Sequence, residues 1–369
     1  MPMHFTILTE SSTTQVRAGE FHTTRNVLHT PCFMPVGTHG AVTGLTPAML
    51  TEMGAEILVS NAFRLSEKPG NALLSKYADL HEFMGWDKTI LTDSGGFQSR
   101  LREHAISEQG IQFYDDNAQN IWTPEHAIET QLILGSDFVM PLDICVELPT
   151  TYPQAKDAME RTLRWAARSQ AAFTPRPGQI LFGIIQGAVY PDLRQQCIDA
   201  LEKMEFPAYA IGGLNVGETP QEYQTTLSVT TALLPREKLR YIMGVGRPEA
   251  MLEAVRAGVD IMDSIIPTKY ARERTLFTFR GPINLGKKKK YRRDKYPIDP
   301  NCRCYTCRHV SRAYLHHLYS TTTTTAQIFA AIHNVSFCLR VLQDARQAIL
   351  DDRFEDYYAA FMDNYTRKS

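Results

Sequence analysis

Three aspartates follow short apolar runs of the kind that form buried strands: Asp93 ends TILTD, Asp143 ends FVMPLD and Asp263 ends GVDIMD. The carboxyl ends of parallel barrel strands share one face, where active sites lie. Two carboxylates suit substitution at the anomeric carbon of a sugar, one as nucleophile and the other as proton carrier. Alternatively, each aspartate caps the helix that follows it. Helix capping explains any one of these three aspartates well, but it explains all three together less well.

A second group of residues has the spacing of a metal site. Cys302, Cys304 and Cys307 fall within six positions, and His333 follows in a segment with helical character, AQIFAAIHN. Three thiolates and one imidazole make a closed tetrahedral zinc site, which is structural because no position is left for water. His309, His316 and His317 compete for the fourth place, and a cluster of free thiols is the remaining alternative. The total of seven cysteines is odd and makes a poor disulfide framework.

The elements that must position these residues are short apolar runs alternating with longer helical patterns. Eight runs have the length and composition of buried parallel strands, and the gaps between them leave room for crossover helices. They cover residues 32–37, 56–60, 89–93, 138–143, 181–186, 208–213, 240–245 and 258–263. This pattern predicts an α/β fold, a (β/α)8 TIM barrel, with a doubly wound open sheet as the runner-up. Residues 4 to about 30 predict a small antiparallel sheet before it.

Several intervening segments carry helix signals. Thr123 and Pro124 have the types preferred at a helix cap and at the first helical position. The segments 153–173, 191–204 and 247–258 also predict helices. Beyond about residue 275 the chain holds the cysteine cluster, a threonine tract and a helical tail over 337–362. We therefore expect a sheet and barrel body over 1–275, a basic and zinc-binding segment over 276–340, and a C-terminal helical part over 341–369.

Composition and charge narrow the class of protein. The chain has 369 residues, 43% of them hydrophobic, and a net charge of -1, which is ordinary for a globular protein. No continuous apolar run is long enough to cross a bilayer, and the first residues lack a secretory signal, so we expect a cytoplasmic protein without a membrane partner. One basic run could neutralise phosphates or could be a solvated loop. It contains Lys287, Lys288, Lys289, Lys290, Arg292, Arg293 and Lys295.

Longer motifs give the chain a specific resemblance over nearly its whole length. They are HTPCFMPVGT, FMGWDKTILTDSGGFQ, FGIIQGAVYPDLR, YAIGGLNVGE, YIMGVGRPE, GVDIMDSIIPT, the C-x-C-x2-C cluster and SRAYLHHL. In these segments the chain resembles the tRNA-guanine transglycosylases of bacterial type. The resemblance implies a (β/α)8 barrel with a zinc-bearing insertion near the C-terminus. It also implies a homodimer that exchanges the wobble guanine of a tRNA anticodon for a 7-deazaguanine, either the aminomethyl precursor of queuine or queuine itself.

The resemblance also implies a role for individual residues. Asp263 matches the nucleophile that attacks the ribose C1′, and Asp93 matches the general acid and base. Phe97 and Met243 match the pair that sandwiches the base. The other base-binding positions are Asp143, Gln186, Gly213, Leu214 and Glu218. Lys269 and Arg272 fall in the tRNA-binding segment, while Cys302, Cys304, Cys307 and His333 fall on the ligands of one structural zinc.

Some residues depart from the family pattern and leave the incoming base open. Arg64 replaces a histidine, Ile144 replaces the acidic residue beside Asp143, and Asn215 stands where a smaller residue is common. The segment from Lys269 to Arg274 departs from the arginine-rich family run, and lysine keeps the charge without the bidentate fork of arginine. Three rival functions remain: a non-catalytic tRNA-binding partner subunit, a base-exchange enzyme acting on DNA, and an ordinary barrel glycosidase.

Overall fold

A computed structural model describes residues 3–100, 104–114, 121–286 and 289–366. It is a mixed α/β fold with two parallel sheets and three small antiparallel ones. The strands are β1 (His4–Glu10), β2 (Arg17–His22), β3 (Val27–Thr30), β4 (Cys32–Pro35), β5 (Ile57–Asn61), β6 (Thr89–Asp93), β7 (His104–Ile106), β8 (Ile111–Phe113), β9 (Ile121–Trp122), β10 (Phe138–Val139), β11 (Ile180–Leu181), β12 (Gly183–Ile185), β13 (Ala208–Ile211), β14 (Leu239–Ile242), β15 (Ile261–Ser264), β16 (Thr275–Leu276) and β17 (Ile283–Asn284).

The helices fall mainly between the parallel strands and after the last of them. They are α1 (Pro47–Glu52), α2 (Ala62–Leu65), α3 (Asn71–Leu74), α4 (Leu80–Met84), α5 (Pro124–Leu134), α6 (Tyr152–Ala172), α7 (Pro191–Glu202), α8 (Pro220–Leu233), α9 (Pro248–Arg256), α10 (Ile266–Arg272), α11 (Tyr305–His309), α12 (Arg312–Thr321), α13 (Thr323–Leu350) and α14 (Phe354–Thr366). A π-helical turn spans Ser66–Gly70, and 3-10 turns span Gly96–Arg100 and Lys289–Arg293.

All eight apolar runs contain parallel strands, as predicted. One sheet has the order β11-β10-β6-β5 and the other the order β12-β13-β14-β15-β4. The two sheets adjoin at both margins. Strands β11 and β12 are separated only by Phe182, whose N–H donates to the Val139 carbonyl at 3.0 Å. At the other margin Val36 forms a single parallel bridge with Val59, and the Gly37 N–H donates to the Val59 carbonyl at 2.7 Å.

One hydrophobic cluster takes side chains from strands of both parallel sheets. Its members from the sheets include Met34, Ile57, Leu91, Phe138, Ile184, Ala208, Tyr241 and Ile261. Phe21 and Leu28, from the predicted antiparallel sheet β1-β2-β3, belong to the same cluster. Phe21 packs 5.2 Å from the ring of Phe138, and Thr23 contacts Thr89, so the N-terminal sheet meets the first residues of β10 and β6, away from the strand end that carries Asp93.

The residues predicted to begin helix α5 are confirmed by the structure. The side chain of Thr123 accepts a hydrogen bond from the His126 N–H, Pro124 is the first residue of α5, and Gly135 ends it at φ 62°. A residue in the left-handed conformation costs least free energy when it is glycine, so the local sequence is enough to predict the end of α5 at Gly135. The segments predicted at 153–173, 191–204 and 247–258 form α6, α7 and α9.

Three features of the fold differ from expectation. The sheet β7-β8-β9 is inserted between β6 and α5, the sheet β16-β17 follows α10, and neither was predicted. The expected C-terminal helical tail is broken, because α13 ends at Leu350 and α14 begins at Phe354, with Asp352 at φ 53° between them.

Helix α13 is long and apolar enough, by length and composition, to cross a membrane. Of its most apolar window, 67% is buried inside the protein, and the helix packs against α10, α11, α12 and α14. It therefore has the environment of a core helix. It also runs without interruption through residue 340, where the expected second domain boundary lies.

Candidate functional site

The predicted catalytic and base-binding residues lie at, or follow, the carboxyl ends of strands from both parallel sheets. Asp93 is the last residue of β6, and Asp263 lies near the end of β15. The negative charges of Asp263 and Asp143 both raise the pKa of Asp93, so the three carboxyl groups lie within electrostatic reach of one another. Besides its burial, the charges of all three aspartates raise the pKa of Tyr241, so the structure brings the three carboxyl groups close together.

Asp93 is held by two donors and is half-buried. The Asn61 Nδ2 donates to Oδ2 at 2.9 Å, and the Gly95 N–H donates to Oδ1 at 3.2 Å. Burial raises the pKa of Asp93 to about 7. The hydrogen bonds from Asn61 and Gly95 lower this pKa, and the charges of Asp263 and Asp143 raise it. Near neutral pH this carboxyl can therefore both give and accept a proton, which is what a general acid and base needs.

The Asp263 carboxylate is held asymmetrically. The Tyr241 hydroxyl donates to Oδ1 at 2.6 Å and the Gly244 N–H donates to the same oxygen at 3.0 Å. Burial raises the pKa of Asp263, while these two hydrogen bonds lower it. Because both donors contact Oδ1, the other oxygen, Oδ2, is the one available to form a new bond.

Asp143 and Gln186 form a polar pair beside the aspartates. The Gln186 Nε2 donates to Asp143 Oδ2 at 2.8 Å, and burial raises the pKa of Asp143 to about 6. The Gln186 Oε1 is buried and has no hydrogen-bond partner in the described part of the chain. A buried acceptor of this kind costs free energy unless a donor reaches it, so it marks a place for an N–H group of a ligand.

Two glycines permit this arrangement. A Cβ on Gly96 would lie 2.6 Å from the Asp143 backbone oxygen and 2.8 Å from its Oδ1. A Cβ on Gly213 would lie 2.5 Å from Gln186 Oε1, and the residue has φ 68°. Only a residue without a side chain lets the backbone approach the polar pair this closely.

The loop after β13 contains the other predicted base-binding residues. Glu218 accepts hydrogen bonds from the Asn215 N–H at 2.5 Å and the Val216 N–H at 2.9 Å. Leu214 is buried, and Asn215 has φ 59°, a left-handed conformation that asparagine tolerates better than most residues. Glu218 therefore fixes the backbone of the loop, and this supporting contact was not foreseen.

Phe97 and Met243 line the same end of the strands. Phe97 is 48% exposed, and Met243 is partly buried immediately before Gly244. The Arg100 guanidinium lies 5.4 Å from the Phe97 ring centroid. Its Nη2 is 3.4 Å from the Val216 carbonyl and 3.3 Å from Glu147. Arg100 thus connects the aromatic residue to the loop after β13.

The other departures from the family pattern have local roles. Arg64 pairs with Glu67 at 3.2 Å, one helical turn away. Ile144 is buried, and its N–H donates to Thr162 Oγ1 at 3.0 Å. Lys269 and Arg272 are exposed on α10, directly after the strand that carries Asp263, and Lys269 lies 4.0 Å from Glu273.

Sequence reasoning did not assign Asn61 and Tyr241, although both contact an aspartate. Asn61 pairs with Asp93 in the register of β5 and β6, and its position at a strand end was the only available signal. Tyr241 precedes Met243 by two positions, so the alternation of a strand places both side chains on one face. That periodicity was a usable signal.

The predicted metal ligands lie together. The ligand atoms of Cys302, Cys304, Cys307 and His333 are within 4.8 Å of one another. The His333 Nδ1 faces the sulfurs, 3.6 Å from Cys304 and 3.3 Å from Cys307, while its Nε2 hydrogen-bonds the Phe277 carbonyl at 2.7 Å. An outer partner of this kind fixes the tautomer that can ligate a metal. The cluster could bind one metal ion.

The competing histidines are engaged elsewhere. His316 Nδ1 contacts the Leu285 carbonyl at 2.7 Å, and the His309 ring packs 4.7 Å from that of Tyr305. His317 is not part of the metal-ligand group in the described residues. The choice of His333 as fourth ligand agrees with the geometry.

Comparison with known proteins gives a consistent result. A family model described as "Queuine tRNA-ribosyltransferase" matches residues 12–367. A protein of that name from Thermoanaerobacter sp. (strain X514) is 41% identical over 370 residues, covering 99% of this chain and 98% of the relative. Another from Pediococcus pentosaceus is 43% identical over 358 residues, covering 95% and 93%. A third from Streptococcus agalactiae is 42% identical over 368 residues, covering 99% and 97%.

Proposed function

Because this chain belongs to the queuine tRNA-ribosyltransferase family and is therefore a pentosyltransferase, we propose a specific base exchange for it. The enzyme removes guanine from the wobble position of a tRNA anticodon and inserts a 7-deazaguanine, through a covalent bond between Asp263 and the ribose. The observation that carries this proposal is the unequal environment of Asp93 and Asp263, two carboxyl groups close enough to interact electrostatically.

The first half of the reaction breaks the glycosidic bond. Asp263 Oδ2 attacks C1′ of the ribose, and the electron pair of the C1′–N9 bond passes to the guanine. Because its pKa is raised to about 7, a substantial fraction of Asp93 is protonated at neutral pH, and this form gives its proton to the departing base. The product is an aspartyl-ribose ester in the polynucleotide, the form of covalent intermediate used by retaining glycosidases.

The second half reverses these events with a different base. Asp93, now ionised, removes the N9 proton of the incoming 7-deazaguanine, and the resulting nitrogen attacks C1′. The C1′–Oδ2 bond breaks and Asp263 leaves as a carboxylate, which Tyr241 and the Gly244 N–H stabilise through Oδ1. Each step inverts C1′, so the nucleoside keeps its original configuration.

The polar pair would bind the base. Asp143 and the unpartnered Oε1 of Gln186 supply acceptors for the N–H groups of a guanine-like edge. The Gly213 backbone, which lies against Gln186, would contact the same edge, and the loop through Leu214 and Glu218 would lie beside the base. Phe97 and Met243 would enclose the ring, one with an aromatic face and the other with a polarisable thioether. Which 7-deazaguanine is taken depends on the pocket around Ile144 and Asn215.

The RNA would approach over α10. Exposed Lys269 and Arg272 follow the strand that carries Asp263, where they can neutralise phosphates flanking the extruded nucleotide. The wobble base must leave its stack to enter the pocket, at a cost reduced because the anticodon loop is single-stranded.

Zinc is the metal that the cysteine and histidine cluster would hold. Three thiolates and one imidazole fill a tetrahedral site, so the ion is structural. It would tie the segment around α11 to α13 and to the Phe277 backbone, with no step of the base exchange passing through it.

We also propose the larger organisation that accompanies this function. The bridge from Val36 to Val59 and the hydrogen bonds around Phe182 support one closed (β/α)8 barrel. The sheet and barrel body would span 1–275, the zinc segment 276–340 and the C-terminal helical part 341–369, with the second boundary inside α13. The enzyme would act in the cytoplasm as a homodimer.

Two variants test the proposed chemistry. Asp263→Asn should give no covalent protein–RNA adduct on a denaturing gel, and Asp93→Asn should slow incorporation of labelled guanine into tRNA by roughly 100-fold or more. Asp157→Asn, an exposed carboxylate on α6, serves as the matched control with unchanged activity. Wild-type protein that binds tRNA without incorporating guanine would be a partner subunit, and preferential exchange into duplex DNA would make the enzyme a DNA-modifying one.

A further inference from the structure

Arg100 borders the proposed base pocket, and the proposed chemistry gives it no role. It is not part of the basic run singled out in the sequence, of which Lys287 and Lys288 lie outside the described residues. The Arg100 guanidinium lies 5.4 Å from the Phe97 ring centroid, and its Nη2 donates to the Val216 carbonyl at 3.4 Å. Arg100 therefore joins the residue that would cover the base to the loop after β13.

A further contact brings Arg100 close to the polar pair that would bind the base. The Arg100 guanidinium hydrogen-bonds the Cys145 side chain, and the Gly213 N–H donates to the same sulfur. The Gly213 backbone lies against Gln186, because a Cβ on this glycine would be 2.5 Å from Gln186 Oε1. One thiol thus separates Arg100 from the backbone that contacts the polar pair, which places Arg100 in the wall of the proposed pocket.

The positive charge of Arg100 is only weakly neutralised by its neighbours. The Arg100 side chain is 16% exposed, whereas Glu147, its ion-pair partner at 3.3 Å, is 80% exposed, so water screens the pair. Burial raises the pKa of Cys145 to about 11, the charge of Asp143 raises it and the Arg100 charge lowers it. Cys145 is therefore an uncharged thiol at neutral pH, and Arg100 keeps its charge inside the wall.

Arg100 also has a hydrogen-bond donor without an acceptor. A guanidinium offers five N–H donors and no acceptor. The Arg100 Nε is buried and makes no hydrogen bond with any residue that the structure describes. A buried donor costs free energy until an acceptor reaches it. The pocket therefore needs an acceptor from its ligand at Arg100, as it needs a donor at Gln186 Oε1.

A second arginine near Cys145 is occupied by the backbone. Arg194 is fully buried and donates to the carbonyls of Ala188 and Gly212, each at 2.9 Å. Burial lowers the pKa of Arg194 to about 10, and the charges of Cys145 and Glu218 raise it, so the Glu218 carboxylate offsets this cation. Of the two arginines, Arg100 is the one that keeps a donor for a ligand.

The shape of a 7-deazaguanine indicates which of its groups meets Arg100. Its N1 and N2 edge would face Asp143 and Gln186, and its N9 must face the proposed nucleophile and acid. The remaining edge carries O6 and the 7-substituent, and it would face the loop after β13. Because Arg100 donates to that loop at Val216, the 7-substituent is the group that comes close to the guanidinium.

We propose that Arg100 selects the incoming base by its 7-substituent, and that the enzyme takes a 7-deazaguanine whose substituent is uncharged and ends in a hydrogen-bond acceptor, such as a nitrile. An alkylammonium group has the same charge as Arg100 and, like it, only donors. The Val216 carbonyl, which could accept from such a group, already accepts from Arg100. The aminomethyl base and queuine both carry an amine here and are disfavoured. This selection rests on the proposed function, since it concerns the base that the exchange inserts.

The test compares four bases on the full-length protein: guanine, 7-cyano-7-deazaguanine, 7-aminomethyl-7-deazaguanine and queuine. Exchange into tRNA gives kcat/KM for each base, and guanine, which has no 7-substituent, is the reference within each protein. Arg100→Met removes the charge and the donors and keeps an unbranched side chain. Arg164→Met is the matched control, because it makes the same change at an exposed ion pair with Glu108 on α6. Unfolding temperatures establish that the variants are folded.

The wild type should use the cyano base roughly 10-fold or more better than either amine, the ratio expected from one hydrogen bond to a charged group. Arg100→Met should lose most of this ratio through a higher KM for the cyano base and a lower KM for the amines, with KM for tRNA unchanged. Arg100→Lys keeps the charge without the fork, so it should still discriminate against the amines. Arg164→Met should keep the wild-type ratio.

A wild type that uses either amine as well as the cyano base overturns the inference. An unchanged ratio in Arg100→Met, or an equal change in Arg164→Met, overturns it too. Failure of the proposed function is a separate outcome, in which the wild type exchanges no guanine into tRNA. Calorimetric titration of the free cyano and aminomethyl bases into wild type and Arg100→Met then tests the selection directly, and equal affinities would refute it.

Discussion

The hydrogen bond from Tyr241 to Asp263 allows a sharp test of the nucleophile assignment through Tyr241→Phe. This substitution keeps the ring, which packs among buried residues of the strands, and removes only the hydroxyl that donates to Oδ1 at 2.6 Å. Burial raises the pKa of Asp263, and the Tyr241 hydrogen bond is the first of the contacts that lower it. Without the hydroxyl the carboxylate is less stabilised, so its pKa rises further.

The size of the effect follows from the type of bond. A hydrogen bond to a charged group contributes about 1.5–3 kcal/mol, and one pKa unit corresponds to about 1.4 kcal/mol. The pKa of Asp263 should therefore rise by roughly one to two units. Because only the ionised form attacks C1′, exchange on the acid side of the pH profile should fall about 10- to 100-fold. On the alkaline side the profile should still be limited by Asp93, whose pKa is about 7.

The assay is kcat/KM for labelled guanine incorporation into tRNA between pH 5 and 9. The matched control is Tyr209→Phe, a buried tyrosine of β13 that belongs to a different hydrophobic cluster and should leave the profile unchanged. An acid limb at the same pH in wild type and Tyr241→Phe, or a loss of equal size at every pH, would falsify the reasoning.

Three further outcomes follow from the site. Because the pKa of Asp93 is raised in the folded protein, its contribution to stability is present below about pH 4 and is lost as the pH rises towards 7. Across that window the Tm of Asp93→Asn should therefore rise relative to the Tm of the wild type. A Tm difference that stays constant with pH would contradict this expectation. Gly96→Ala should raise KM for guanine, since its Cβ would lie 2.6 Å from the Asp143 backbone oxygen, and unchanged KM would place the base elsewhere. Elemental analysis should find one zinc per chain, and Cys304→Ser should lose both the metal and several degrees of Tm; a metal-free protein of equal Tm would reject a structural ion.

The strands and caps could be predicted because their signals are local. Each parallel strand is a continuous apolar run, and α5 is bounded by Thr123, Pro124 and Gly135, whose backbone preferences are intrinsic. The sheet β7-β8-β9 gave no such signal, because its short strands HAI, IQF and IW do not belong to longer apolar runs. The break between α13 and α14 was equally hidden, since Asp352 adopts φ 53° without the glycine that usually announces a left-handed residue.

The metal ligands could be predicted for a different reason. Thiolate and imidazole are a small set of residue types, and three of the four ligands lie within one loop. The neighbours of the ligands could not be predicted. The Phe277 carbonyl that orients His333 is 56 residues away in sequence, so only the fold brings the two together.

The different roles proposed for the aspartates depend on contacts that the spacing of residues in the sequence does not specify. All three end apolar runs, so their chain positions are equivalent. The aspartates differ in which neighbouring group donates a hydrogen bond to which carboxylate oxygen. Asp93 receives one donor on each oxygen and still keeps a pKa of about 7, whereas Asp263 receives two donors on Oδ1 alone. The first arrangement favours a group that exchanges protons without moving. The second fixes the orientation of the carboxylate and leaves one oxygen to bond to carbon. We therefore expect the two roles to follow from the donors that the strands and the turns after them supply.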